Sequence, residues 1–347
     1  MPGRAFIIGG TGQIGRAAAR ALLDAGWSVT LAHRGHRDPP ADLMARGARG
    51  IVLDRKEPGA LGQALGHGAD VLIDTVAYGR DDADQLLALE GDVGGLVVVS
   101  SASVYRDAAG RTFDEARQTG FPELPDPIPE THPTVAPGPE TYSTRKIALE
   151  RRLLDGAKGP VTVLRPCAIH GPHSRHPREW WFVKRMLDGR RQIPLAYSGN
   201  SRFHTTATVN LAAAIVLVAD RRGTLVMNVG DPTPLSVMEI GRVIAGRLGY
   251  SGSLVAVPDL AYPPAVGATP WSTPRPVTLD MSAAATLGYR PVADYADAAA
   301  TTVAWLAETP PDADWKSLFP VLAGYRRELF DYAAEDCRLA GTASGGE

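Results

Sequence analysis

Short apolar runs alternate with amphipathic stretches over residues 1–165. The runs Ala5–Ile8, Ser28–Ala32, Gly50–Leu53, Val71–Asp74, Leu96–Ser100 and Val161–Arg165 predict strands. Several are nearly unbroken Val, Ile and Leu, the pattern of strands covered on both faces. Between them apolar residues recur at helical spacing; in the first such stretch Ile14, Ala18, Leu22 and Ala25 make one stripe. Strand, helix, strand with short connections implies right-handed crossovers and a doubly wound parallel sheet, so the fold class expected is α/β.

Past this region the pattern loosens. From Tyr105 to Pro139 the chain is rich in Pro, Asp and Glu and has little periodicity, which predicts a long surface loop. Further on, helices are expected near Trp180–Leu187 and Val237–Leu248, a strand near Val226–Val229, and helical stretches at 294–307 and 321–339. Proline-rich segments occupy 258–276, and 341–347 reads as a disordered tail. The division expected is a dinucleotide-binding part over 1–170, with contributions from later segments, and a smaller, less regular C-terminal substrate lobe over 171–340 closing over the sheet. There is no internal repeat.

Composition narrows the class. Hydrophobic residues make up 44% and charged residues 21% of 347, which suits a globular chain and excludes a disordered one. A net charge of −2 supplies no field to draw in nucleic acid or acidic lipid, so neither is expected as a partner. No apolar run reaches the roughly 20 residues of a membrane span. Cys167 and Cys337 lie far apart without a CxxC, which argues against a disulfide framework or a thiolate zinc site. A cytoplasmic location is the default expectation.

Chemistry enters at Ile7-Ile8-Gly9-Gly10-Thr11-Gly12-Gln13-Ile14-Gly15-Arg16, between the first predicted strand and helix. The first glycine allows a tight turn, the second lets a pyrophosphate approach the backbone, and the third lets helix and strand pack closely. Free amides and the positive helix end would hold phosphates. Strand before and helix after are the context such a turn needs, and they make the sheet Rossmann-type. The second strand ends Thr30-Leu31-Ala32-His33-Arg34-Gly35 with no acid until Asp38. Arg34, with Arg37 close behind, therefore favours NADP over NAD, although Arg34 could instead stack on adenine or face solvent. Asp54, ending the third strand, is placed to accept from the adenine amino group, or is equally a solvated turn residue. Together the expected cofactor contacts are Gly9, Thr11, Gly12, Gln13, Ile14, Gly15, Arg34, Asp54, Val76 and Pro166.

Tyr142-Ser143-Thr144-Arg145-Lys146 puts a phenol and an ammonium four residues apart, on one helical face. A lysine beside a tyrosine favours the phenolate, making Tyr142 a general acid or base. The run Val97-Val98-Val99-Ser100-Ser101-Ala102-Ser103-Val104-Tyr105 places Ser101 beyond the fifth strand's carboxyl end, where ligands of open α/β sheets bind. Ser101 could donate to a reacting oxygen, or merely cap the strand end. Tyr78, Ser103, His170 and Arg202 are candidate substrate contacts. His170, His173 and His176 recur every third residue, but in a loop broken by Pro172 and Pro177, so a polar pocket wall is expected rather than a metal. Cys167 reads as a small buried filler, and Trp180 and Trp181 as core.

In this order the motifs GGTGQIG at 9–15, SSASVY at 100–105, YSTRK at 142–146, RPCAIHGP at 165–172 and LDMSAAATLGYRP at 279–291 make the chain resemble the extended short-chain dehydrogenase/reductases, the NAD-dependent epimerase/dehydratase family. The resemblance runs from Ala5 to about Ala307 and implies hydride transfer with nicotinamide, catalysis by Ser101, Tyr142 and Lys146, and often a homodimer. There are departures. Acidic residues that dehydratases carry after the catalytic Ser or Thr are Ala102 and Ser103 here, which removes the acid and base of water elimination. An Asn common in enzymes of nucleotide diphosphate sugars is Ala168. Arg202 matches a frequent pyrophosphate contact, but the His-Val-Asp-Asp that follows is Ala207-Thr208-Val209-Asn210. The reading is an NAD(P)-dependent oxidoreductase acting on a secondary alcohol or ketone of a small polar, sugar-like molecule. A redox-neutral epimerase would use the same residues, and a non-catalytic dinucleotide sensor is the alternative of another class.

Overall fold

The computed structural model describes residues 3–221, 223–258, 265–325 and 328–343. The strands are β1 (Arg4–Ile8), β2 (Ser28–His33), β3 (Arg49–Val52), β4 (Val71–Asp74), β5 (Leu96–Val99), β6 (Val161–Pro166), β7 (Ala168–His170), β8 (Gln192–Leu195), β9 (Thr205–Ala207), β10 (Leu225–Val229) and β11 (Ser253–Ala256). Two units form. The first comprises Met1–Cys167, Thr208–Gly230 and Leu279–Val292; the second comprises Ala168–Ala207, Asp231–Thr278 and Ala293–Glu347.

The first unit is built on a seven-stranded sheet of order β10-β6-β5-β4-β1-β2-β3. Every pairing is parallel; Ala5 stands opposite Val71 and Val29, and Val97 opposite Ile73. Strands β1, β4, β5 and β6 are buried almost throughout, as their unbroken apolar composition predicts. The six early strands fall within one residue of their expected ends. The order reverses between β1 and β4, the switch point at which open α/β sheets bind ligands. The strand expected at Val226–Val229 is not part of the lobe: as β10 it pairs with β6 and completes this sheet.

Two further expectations need correcting in this unit, and one helix was not foreseen. On the helix Gln13–Asp24 the buried positions are Gly15, Ala18, Ala19 and Leu22, while Ala25 is its exposed cap. Small residues on that stripe let it lie against the helix Thr208–Val218, which hydrophobic periodicity did not reveal. That helix is apolar nearly all round, as a helix buried inside a domain is, so no stripe marks it. The Tyr105–Pro139 stretch is irregular but tethered, and carries the short helix Ala116–Thr119. Tyr105 bridges Thr134, and Ile128 bridges Leu279. Inside it, buried Asp107 accepts from Arg111 N at 2.9 Å, Arg111 Nε at 2.7 Å and Glu123 N at 3.0 Å.

The second unit holds two small parallel pairs, β7 with β9 and β8 with β11. Its core gathers Trp180, Trp181, Phe182, Ile240, Ile244, Trp271 and Leu306, so Trp180 and Trp181 are core residues. Helices occupy Trp180–Leu187 and Val237–Leu248 as expected, and Tyr295–Ala307 matches the stretch at 294–307. The stretch 321–339 is not one helix but Pro320–Ala323 and Tyr332–Ala343, the second started by Asp331, whose Oδ1 accepts from Ala334 N at 3.1 Å. Of the expected tail, 341–343 finish this helix and 344–347 lie outside the described residues, as do 259–264 of the proline-rich segment. Buried Arg185 pairs with Glu335 at 2.5 Å and lies 3.6 Å from the Trp181 ring centroid, docking that last helix. Among the described residues no helix is long and apolar enough to cross a membrane.

Candidate functional site

The turn after β1 is tight because Gly9 adopts φ 82°, and both its amide and that of Gly10 donate to Ala32 O at 3.1 Å. A Cβ on Gly9 would lie 2.5 Å from Thr75 Oγ1 and 2.6 Å from Val76 Cγ1; one on Gly15 would lie 2.3 Å from Gly9 O. These are approaches that only glycine permits. The helix then starts at Gln13 with Gly12 as its cap and no side chain over its end, so the amides of Gln13, Ile14 and Gly15 have no intrahelical acceptor. Gln13 Oε1 is buried and lacks a protein partner. Arg16 Nε donates to Thr11 O at 2.9 Å. A glycine cradle and open amides at a positive helix end fit the pyrophosphate of a dinucleotide.

Around this turn the sheet edge supplies the other expected contacts. Val76 is exposed and stands against Gly9, and Pro166 ends β6 opposite Val229. Asp54 is exposed beyond β3, its Oδ1 accepting from Lys56 N at 3.0 Å. Arg34 and Arg37 are exposed beyond β2. Burial, and then the neighbouring charge of Arg37, hold the Arg16 guanidinium below its ordinary pKa. A second cation is thus already close to the turn.

The helix Tyr142–Gly156 begins with a capping box, in which Thr141 Oγ1 accepts from Thr144 N at 3.2 Å and Thr144 Oγ1 from Thr141 N at 2.9 Å. Asp114, from the long loop, also accepts from Ser143 N at 2.8 Å. Tyr142 is 41% exposed, so its phenol can meet a second molecule, whereas Lys146 is buried. Lys146 Nζ lies 5.8 Å from the Tyr142 ring centroid, as the four-residue spacing requires. The ammonium donates to Ala77 O at 2.6 Å and Val99 O at 3.0 Å, bridging the ends of β4 and β5. Burial pushes the Lys146 pKa down to about 8, against the opposing charges of Asp74, Glu150 and Asp82. Tyr78 stacks near Tyr142, ring centroids 5.7 Å apart, with the Arg145 guanidinium 5.4 Å from its own ring.

Ser101 lies two residues past Val99. Its Oγ accepts from Ser103 N at 3.1 Å, capping the short helical turn Ala102–Val104 and leaving its hydrogen to donate. Ser103 Oγ and Ser143 Oγ are buried without a protein partner. The carboxyl ends of β1, β4 and β5 thus collect the glycine turn, Val76, Tyr78, Ser101, Ser103, Tyr142 and Lys146.

His170 and Arg202 belong to the second unit. His170 is buried rather than lining a surface: its Nε2 is 2.8 Å from Asp231 Oδ2 and its ring centroid 4.8 Å from that of Tyr295. His173 instead faces Trp305, and His176 lies 3.2 Å from Tyr325 OH, so the three imidazoles do not converge. Arg202 keeps a half-exposed guanidinium that donates to Pro234 O at 2.6 Å.

Several supporting residues escaped the sequence reading. Glu150 receives Arg165 Nη2 at 2.6 Å and Ser100 Oγ at 2.5 Å; Arg165 also reaches Tyr105 OH at 3.2 Å, which donates to Asn228 Oδ1 at 2.7 Å. Burial beside this network pushes the Tyr105 phenol up to about 12. Glu150 lies one helical turn beyond Lys146, a spacing that could have exposed it. Asp74, Arg55 and Asp114 had no such signal.

The family model described as "NAD dependent epimerase/dehydratase family" matches residues 5–230. The 2'-dehydrokanamycin reductase of Streptomyces kanamyceticus is 32% identical over 148 residues, 42% of this chain but only 36% of that protein's length. The putative GDP-L-fucose synthase 2 of Oryza sativa subsp. japonica is 25% identical over 285 residues, covering 76% of this chain and 77% of that one. In fold, the chain is similar to MoeE5 solved with UDP-glucose and NAD (TM-score 0.62, 21% identity, 87% of this chain and 98% of that one). It is also similar to a UDP-glucose-4-epimerase from Stenotrophomonas maltophila solved with bound NAD (TM-score 0.68, 19% identity, 88% and 98%).

Proposed function

Because this chain belongs to the NAD-dependent epimerase/dehydratase family, we propose that it interconverts a secondary alcohol and a ketone on a small polar, sugar-like molecule. The bound nicotinamide would supply or accept the hydride. The observation that carries this reading is the Lys146 ammonium bridging the ends of β4 and β5 with the exposed Tyr142 ring 5.8 Å away. Tyr142 exchanges a proton with the substrate oxygen, and Lys146 favours its phenolate and holds the ribose. Ser101 donates to the same substrate oxygen, where charge develops. Gly9, Thr11, Gly12, Gln13, Ile14 and Gly15 hold the pyrophosphate, Asp54 meets the adenine, and Val76 and Pro166 flank the cofactor. Tyr78 and Ser103 face the substrate. Arg34 and Arg37 favour NADP, since two exposed cations suit a 2′-phosphate.

The relative named as a 2'-dehydrokanamycin reductase supports net reduction of a ketone. The epimerases among the structural neighbours keep the redox-neutral alternative in play, and cofactor consumption separates the two: a reductase uses one reduced cofactor per product, an epimerase none. Tyr142→Phe should lower turnover by about 100-fold or more, the scale of general acid–base catalysis, with cofactor affinity nearly unchanged. Survival of activity in that variant would remove the mechanism.

A further inference from the structure

The site contains an ion pair, buried on its carboxylate side, that the reaction as described does not use. Asp74 closes β4 and is fully buried, and Arg55, just past β3, binds it through Nη1 at 2.6 Å. The other carboxylate oxygen accepts from Val76 N at 2.9 Å and Ala77 N at 2.8 Å. Ala77 in turn presents its carbonyl to Lys146 Nζ at 2.6 Å. Four groups are thus joined by short contacts: guanidinium, carboxylate, turn and ammonium. Arg55 Nε also donates to Gln85 Oε1 at 2.9 Å and approaches Asp82 Oδ1 at 3.3 Å, while Asp82 accepts from Tyr78 N at 2.6 Å.

Buried ion pairs contribute little net stability, because desolvation offsets their attraction. Their position is therefore the more informative property. We propose that Arg55 and Asp74 are positioning residues for Lys146: together they fix the Val76–Tyr78 turn that holds the ammonium, and Asp74 supplies a fixed counter-charge. The proposal rests on the reading that Lys146 serves the cofactor and Tyr142. It also ties two ends of the site together, since Arg55 follows Asp54, the residue assigned to adenine.

The charged groups around Lys146 give the proposal a sign. Asp74 faces it from β4, Asp82 from the helix Arg80–Leu87, and Glu150 from its own helix, with Arg55 and Arg165 compensating the carboxylates and Tyr142 beside it. Asp74→Asn keeps an acceptor for the turn amides but deletes a negative charge, so the ammonium should be lost at lower pH. Arg55→Met leaves Asp74 uncompensated, so the ammonium should persist to higher pH. A role in packing alone would not move the two variants in opposite directions.

The test is the NADPH dissociation constant of the full-length protein from pH 6.5 to 10.5, read by quenching of tryptophan fluorescence. Wild type should weaken above a break near the Lys146 pKa of about 8. The break should move about one pH unit down in Asp74→Asn, with about tenfold weaker binding on the alkaline side, and upward in Arg55→Met. Lys146→Met should show no break. If that variant keeps the break, the role given to Lys146 fails and the proposal falls with it. If the break vanishes there but is unmoved, or moves the same way, in the other two, the proposal alone is overturned. Should Asp74→Asn not fold, as judged by its thermal melt, an unmoved or lowered break in Arg55→Met overturns it.

Discussion

At the level of single residues the chain uses one charge for two purposes. The Lys146 ammonium anchors two backbone carbonyls from neighbouring strands and still lies beside the Tyr142 ring. Tyr142 and Lys146 are legible in sequence because helical geometry alone brings residues four apart together. Arg55, Asp74 and Asp114 are not, since only the register of the sheet and the path of a loop bring them to the site. Arg34 is the residue on which the cofactor assignment turns. A charge-assisted contact to an exposed phosphate is worth about 1.5 kcal/mol, so Arg34→Ala should weaken NADPH about tenfold and leave NADH within about twofold. Thermal stabilisation by each cofactor measures this, because the tighter ligand shifts unfolding more. Equal shifts in the wild-type protein would overturn the NADP assignment.

Among the elements, the contrast between strands and helices is instructive. Continuous apolar runs located β1, β4, β5 and β6 to within a residue, because a strand buried on both faces leaves few polar positions to blur its limits. The helix Thr208–Val218 was invisible for the related reason that a helix apolar nearly all round has no stripe. The long loop was recognisable as irregular, but not the Asp107 hub that organises it. Despite burial, which would raise it, the hydrogen bonds from Glu123 N and from Arg111 hold the Asp107 carboxyl down at about 2. Its ordinary value is about 3.9, so the charged form is favoured by folding. That contribution is complete above about pH 4 and is lost as pH falls from about 4 toward 2. Asp107→Asn should therefore lower the melting temperature at pH 7 and narrow its gap from wild type by pH 2. A gap that stays constant with pH would show that Asp107 does not act through its charge.

For the whole molecule the chain path is discontinuous, since Thr208–Gly230 and Leu279–Val292 return to the first unit. The second unit owes the docking of its last helix to Arg185, whose guanidinium donates to Glu335, Leu329 O and Trp181 O. Removing one partner of such a buried pair leaves an unmatched charge. Arg185→Met should cost about 3–5 kcal/mol in urea unfolding, and Arg185→Met with Glu335→Leu should recover much of it. No recovery in the double variant would mean that the guanidinium stacking on Trp181, not the ion pair, does the docking.

What the sequence determined by itself are the features set by local geometry. The turn needs glycine at 9 and 15 because a Cβ would meet backbone or a neighbouring side chain there. The tyrosine and lysine share a face because a helix repeats every 3.6 residues, and the central strands β1, β4, β5 and β6 are apolar because both faces are covered. The tertiary structure alone decided which distant groups meet them. Parallel pairing puts Asp74 and Val99 at one edge of the sheet, so their neighbours Ala77 and Ser101 can serve the same lysine and tyrosine. Packing of the second unit turned His170 inward to Asp231. Spacing along a chain predicts contacts only within a turn of helix or a strand, whereas register, crossover and burial assign the rest.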